Sequence, residues 1–245
     1  MKEIFCLTLA LLVAALGPVP AQAQSTRVAA ASQAFWNAVR LDDVKALQTE
    51  MLRGASANAR HPEYGPAIVT AARERSPKVV AYLAELRGTR IDAPNRHDET
   101  ALMLVSLQGD LATARLLVAR GAEINRQGWT PLHYAASGGH PTVVEFLLEA
   151  HAYIDAQSAN GTTPLMMAAR HKHTTVVRLL IEAGADPSLE NDAGYDAARY
   201  MAAHGEAGEA QWLREQAQAF RKRYGSVEAP VPAAPPVPAA APGPA

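Results

Sequence analysis

The chain predicts an all-α solenoid: a row of stacked helix-turn-helix units joined by loop or β-turn fingers. Three observations point there. Positions that close an apolar run recur at Gly54, Gly88, Gly121, His151 and Gly184, in steps of 34, 33, 30 and 33 residues. Turn-to-helix positions keep pace with them at Pro66, Thr100, Thr130, Thr163 and Asp196. A period near 33 sustained over most of a chain marks a repeat architecture. Finally, Ala and Leu are abundant while aromatics make up 6% of the residues, which suits helices better than strands.

Taken in order, residues 1–23, "MKEIFCLTLALLVAALGPVPAQA", read as a signal peptide. An apolar run is followed by a Gly-Pro break and Ala21-Gln22-Ala23, an A-x-A cleavage site, and the run is short for a bilayer span. An uncleaved anchor is the alternative. Cys6, the only cysteine, lies within this run, so the exported chain is expected to hold no disulfide and no thiolate site. Residues 24–31 form a short linker and residues 32–224 the repeat domain, with about six units. From residue 225 the chain reads "GSVEAPVPAAPPVPAAAPGPA", with Glu228 as its only charge. Proline at this density favours polyproline II over helix or sheet. The segment is expected to be a disordered tail, or else a spacer or a ligand for a proline-binding groove.

Within the domain the content recurs as well as the spacing. "GWTPLHYAASGGHPTVVEFLLEAHAYID" is followed by "GTTPLMMAARHKHTTVVRLLIEAGADPS" and preceded by "DETALMLVSLQGDLATARLLVARGAEIN". Looser versions stand at both ends. The T-P-L-H-x-A-A core, the V-x-x-L-L run and the G-A-x-x-N/D ending resemble the ankyrin repeat. Thr130 to Ala136 match that pattern nearly letter for letter. By this resemblance, His133 ties its turn to Thr130 through hydrogen bonds.

The residues support such units on their own terms. Thr130 and Thr163 can cap a first helix that opens with Pro131 or Pro164. Ala135-Ala136 and Ala168-Ala169 let helices approach closely. Leu132, Val144, Leu147 and Leu148 make an apolar stripe. Each unit buries that stripe only against its neighbours. The outer units therefore need polar faces, expected from Asp42, Asp43, Lys45, Gln48 and Glu50 at one end. At the other end Glu206, Glu209, Arg214, Glu215, Arg221, Lys222 and Arg223 serve. His151 stands where other units have glycine, in a left-handed cap that a non-glycine residue enters at some cost.

Little in the chain suggests catalysis. A net charge of −1 argues against a nucleic-acid binder driven by a basic face. There is no Gly-rich phosphate loop, no G-x-S-x-G and no carboxylate pair. His140 and His173 fall at equivalent repeat positions and are read as structural. No metal, no cofactor and no enzyme activity are expected.

The family resemblance implies a concave recognition surface made of finger tips and the inner face of each first helix. The inner-helix positions are Thr70, Arg73, Leu104, Leu107, Tyr134, Ser137, Met167, Arg170 and Tyr200. Candidate protein-binding residues are Asn95, Arg96, His97, Gln127, Trp129, Tyr134, Gln157, Asn160, Met167, Arg170, Glu190 and Asn191. Aromatic, Met and Arg side chains are the types enriched at interfaces. One connection is short. From cap to turn, residues 121–130 span 9 positions where the others span 12, which leaves a notch at Trp129. The expected role is a monomeric, non-catalytic protein-binding module in the bacterial periplasm, accessory to an envelope protein and linked to oxidative-stress defence. An immunity protein against a secreted antibacterial effector and a structural envelope spacer are the alternatives.

Overall fold

The computed structural model describes residues 31–225. The leader, nearly all of the linker and the Pro/Ala-rich tail lie outside them. Among the described residues the chain forms twelve helices in six pairs. The pairs are α1 (Gln33–Arg40) with α2 (Val44–Leu52), α3 (Ala67–Arg73) with α4 (Pro77–Glu85), and α5 (Ala101–Gln108) with α6 (Leu111–Ala119). They continue as α7 (Pro131–Gly138) with α8 (Pro141–Glu149), α9 (Pro164–Arg170) with α10 (Thr174–Glu182), and α11 (Ala197–Ala203) with α12 (Ala207–Tyr224). The only sheet among these residues is the first finger, where β1 (Arg60–His61) pairs antiparallel with β2 (Gly65–Pro66).

Such short helices are unstable alone and depend on packing. First helices pack on first helices, and second on second, along the row. Leu102, Leu132 and Leu165 on first helices, with Leu117, Leu147 and Leu180 on second helices, are almost fully buried and form one continuous core. Each contributes roughly 2 kcal/mol. Ala71, Ala135 and Ala168 have no exposed surface, as close helix approach requires.

Two kinds of contact tie neighbouring units together. Asn58, Asp92, Asn125 and Asp155 recur near the unit boundaries. Each side-chain oxygen accepts a backbone N–H from the next unit: Arg90 at 2.8 Å, Glu123 at 2.9 Å, Tyr153 at 2.8 Å and Asp186 at 3.1 Å. On the opposite edge, the imidazoles of His140 and His173 reach back to the Leu107 and Ser137 carbonyls, each at 3.0 Å. Their rings lie over Gly109 and Gly139, where a Cβ would come within 2.5 and 2.4 Å of the ring. These residues also hold φ of 76° and 72°, so glycine is required twice over. The equivalent positions in the other four units carry Asp42, Arg75, Lys172 and Gly205, all with positive φ.

The Thr163 hydroxyl caps α9 by accepting Met166 N–H at 3.3 Å. Thr130 opens α7 in a reciprocal capping box with His133, whose Nδ1 accepts the Thr130 N–H at 3.2 Å and lies 2.9 Å from its hydroxyl. One expectation needs correction. Glu50 does not face outward. It is buried, accepts from the Ser32 hydroxyl and pairs with Arg53 at 2.6 Å. The last helix, α12, runs for 18 residues, twice the length of the other second helices. Among the described residues no helix is long and apolar enough to cross a membrane.

Candidate functional site: a notch at the shortened finger

Three fingers close on a polar side chain that satisfies the backbone of its own turn. Asn95 Oδ1 accepts from His97 N–H at 2.8 Å and Glu99 N–H at 3.0 Å. Asn191 Oδ1 does the same for Ala193 at 3.1 Å and Tyr195 at 3.0 Å, and Ser158 Oγ accepts from Thr162 N–H at 3.1 Å. In the first finger His61 Nδ1 takes this role, accepting from Glu63 and Tyr64 N–H. Short polar side chains that mimic a backbone turn do this commonly. Asn95 and Asn191 are consequently buried, each 7% exposed. They shape their fingers and do not offer a face to a partner, which corrects their placement on the recognition surface.

The shortened connection has no equivalent of these residues. Arg126 instead reaches sideways to Asp98 on the preceding finger at 2.8 Å. Between Trp129 of this connection and helices α5, α7 and α9, a cavity of about 230 Å³ opens, lined by Leu107, Trp129, His133, Tyr134, Ser137 and Met167. Trp129 packs edge-on against the His133 ring, with centroids 5.2 Å apart. Leu107 is among the few exposed large apolar side chains, at 38%. Trp129, Tyr134, Ser137 and Met167 are half-buried. An indole, a phenol, a leucine and a thioether thus share one open concavity.

The floor is rigid. His133 Nδ1 accepts from Thr130 N–H at 3.2 Å, so Nε2 carries the proton and donates to the Thr162 carbonyl at 2.9 Å. Burial lowers its pKa from 6.5 to about 4, against the pull of the Thr162 carbonyl bond, so the ring is neutral at pH 7. Tyr134 leans back and donates to Glu99 Oε1 at 3.4 Å. Burial, with the Glu99 carboxylate adding to it, raises its hydroxyl to about 12. Neither group is poised for proton transfer near neutrality. The side walls present shape and apolar surface.

The remaining inner-helix and tip residues divide. Arg96, His97, Gln127, Gln157, Asn160, Arg170 and Glu190 are exposed. Thr70 and Leu104, read as exposed, are buried at 1% and 5%. The Thr70 hydroxyl donates to the Pro66 carbonyl at 3.1 Å. Leu104 lies in the unit across which Tyr134 leans. Leu107, one turn further along α5, takes the exposed place. Among the described residues no group of three or more His, Cys, Asp or Glu side chains is arranged to hold a metal.

Against known proteins, a family profile described as Ankyrin repeats (3 copies) matches residues 35–128, 68–158 and 125–191, together well over half the chain. The mouse (Mus musculus) protein phosphatase 1 regulatory subunit 27 is 36% identical over 78 residues, 31% of this chain and 51% of that protein. Its human counterpart is 41% identical over 64 residues, 25% of this chain and 42% of that protein. A zebrafish (Danio rerio) protein, Notch-regulated ankyrin repeat-containing protein A, is 43% identical over 58 residues, 22% of this chain and 52% of that protein. The chain thus spans about half the length of these relatives. On the repeat period, the stacked helix pairs and the family match, the chain belongs to the ankyrin repeat family.

Proposed function

We propose that this protein is a non-catalytic protein-binding module of the bacterial periplasm, seating a folded protein partner over the notch at Trp129. The carrying observation is the cavity bounded by Leu107, Trp129, Tyr134 and Met167, exposed where a finger is cut short. Buried apolar and aromatic anchors ringed by polar residues are what interface hot spots are made of. Arg96, Gln127, Gln157, Asn160, Arg170 and Glu190 supply that rim. Ankyrin repeats serve widely as protein-protein interaction modules, and a relative named as a regulatory subunit fits a role exerted through a partner. Export rests on the leader-like residues 1–23 and on the lack of cysteine after them. In that compartment the role is support of an envelope protein, including one acting against peroxide stress.

The test is crosslinked capture from the periplasm of the source organism with wild type and a Leu107→Glu, Met167→Glu variant. Thermal unfolding of both confirms that the variant keeps its fold. A single protein captured by wild type and lost from the folded variant supports the notch. The same protein captured equally by both would remove the notch from the mechanism. Export is checked separately by fractionation and N-terminal sequencing, with Gln24 expected as the first residue.

A further inference from the structure

We propose that the notch is occupied by the chain's own tail, residues 226–245, which docks as a polyproline II segment and competes with the partner. The proposal rests on the notch being the working surface, but its test does not require the partner.

The first argument is chemical. Pro232, Pro235 and Pro238 stand three residues apart. Polyproline II has three residues per turn, so in that conformation these rings would form one stripe on one face. Grooves that accept such stripes are lined by aromatic side chains. The notch offers Trp129 and Tyr134, with Leu107 and Met167 beside them. Polyproline II makes no internal hydrogen bonds, so its carbonyls need donors from outside. The Trp129 indole N–H and the Ser137 hydroxyl are donors at the cavity wall. The intervening residues are Ala233, Ala234, Pro236 and Val237, and no charged side chain after Glu228 would have to be desolvated.

The second argument is reach. α12 ends at Tyr224, and Arg221 donates to the Ser188 carbonyl at 3.4 Å, so the tail departs beside the connection to the last finger. The shortened connection lies two repeats back along the row. Packed helices lie 8–10 Å apart, so the notch is roughly 20 Å away. At about 3.1 Å per residue, some seven residues of polyproline II cover that distance. Starting from Ser226, this brings Pro232 to the notch, with Pro235 and Pro238 following across it. A short tether gives an effective concentration near the millimolar range. A free-peptide Kd of about 100 µM would then leave the tail docked in roughly nine chains of ten.

The test uses full-length chain with Trp36→Phe and Trp212→Phe, so that Trp129 is the sole tryptophan and is excited selectively over the tyrosines. It is compared with the same chain carrying Pro232→Ser, Pro235→Ser and Pro238→Ser, changes outside the repeat stack. Docking predicts at least a twofold rise in acrylamide quenching of Trp129 in the proline variant. A peptide of residues 226–245 should reverse that rise saturably. A photo-crosslinker at Val237 should give adducts within one chain, on α5, α7 or α9. Equal quenching in the two chains, with no saturable effect of millimolar peptide, overturns the proposal. Adducts found only between chains also overturn it, in favour of a second copy. If the tail docks yet no partner is captured by the proline variant, the proposed function fails while this inference stands.

Discussion

Substituting Asp155 by Asn should stabilise the protein, and only where the carboxylate is ionised. Asp155 is the last of the four inter-unit acceptors, and its neighbour across the boundary is Asp186. Burial, with the Asp186 carboxylate adding to it and the bond from Asp186 N–H opposing it, raises its pKa from 3.8 to about 6. At about 1.4 kcal/mol per pH unit, the charged form is disfavoured in the native state by ~3 kcal/mol, or ~2 kcal/mol allowing for partial solvent access. The sign follows from the raised pKa. The native state binds the proton more tightly than the unfolded chain. The full contribution is present below pH 3.8 and is lost as pH rises through about 6. Asn removes the charge and keeps the acceptor. Its amide can also donate to the Gly184 carbonyl, as Asn58 does to Gly88 at 2.8 Å and Asn125 to His151 at 2.7 Å. Urea unfolding at several pH values is the assay. The variant should be more stable by ~2 kcal/mol at pH 7, and most of that gain should disappear by pH 4. His133 runs the opposite way. Its lowered pKa gives stability that is present above pH 6.5 and lost as pH falls through about 4. The two groups offset each other in the wild type, so the variant should lose stability more steeply in acid. No gain at pH 7, or an equal gain at pH 7 and pH 4, would refute the charge argument.

Other perturbations follow from the edge opposite the fingers. Gly139→Ala should cost about 2–3 kcal/mol, because a Cβ would enter the His173 ring and φ is 72°. Adding His173→Ala should recover part of that loss, read as a coupling energy in a double-mutant cycle. Lys172→Gly should raise stability by about 1 kcal/mol by relieving φ of 61°, and a lower midpoint would count against strain at that residue. Asn191→Ala should expose the N–H groups of Ala193 and Tyr195. It should cost about 1–2 kcal/mol and increase hydrogen exchange at those two amides first.

The repeat pattern was plain in the sequence because every unit restates the same helix pair, so period and motif agree. The notch was legible for a different reason. A three-residue deficit before Thr130 can be counted without knowing any geometry. Burial within the fingers was not legible from residue type alone. Asn95 and Asn191 look like surface residues, yet a tight turn needs an acceptor for its N–H groups and draws them inward. Their recurrence with His61 and Ser158 at matching repeat positions was the available signal. Leu104 and Leu107 illustrate a second limit. Both sit on α5, one turn apart, and residue type alone does not say which of them the stack buries. The double length of α12 follows from its own polar, helix-favouring sequence.

The His-over-Gly pairs impose a grammar on how such a chain could be rearranged. A unit that begins its second helix with His can follow only a unit whose first helix ends in Gly, as Gly109 precedes His140 and Gly139 precedes His173. Units ending in Arg75 or Lys172 are followed by Asp110 and Glu206, which bring no ring to that place. Duplication or recombination that put the Lys172 unit ahead of either His unit would drive a side chain into an imidazole. Period alone would permit any order of these units, but the pairs restrict which ones can be neighbours.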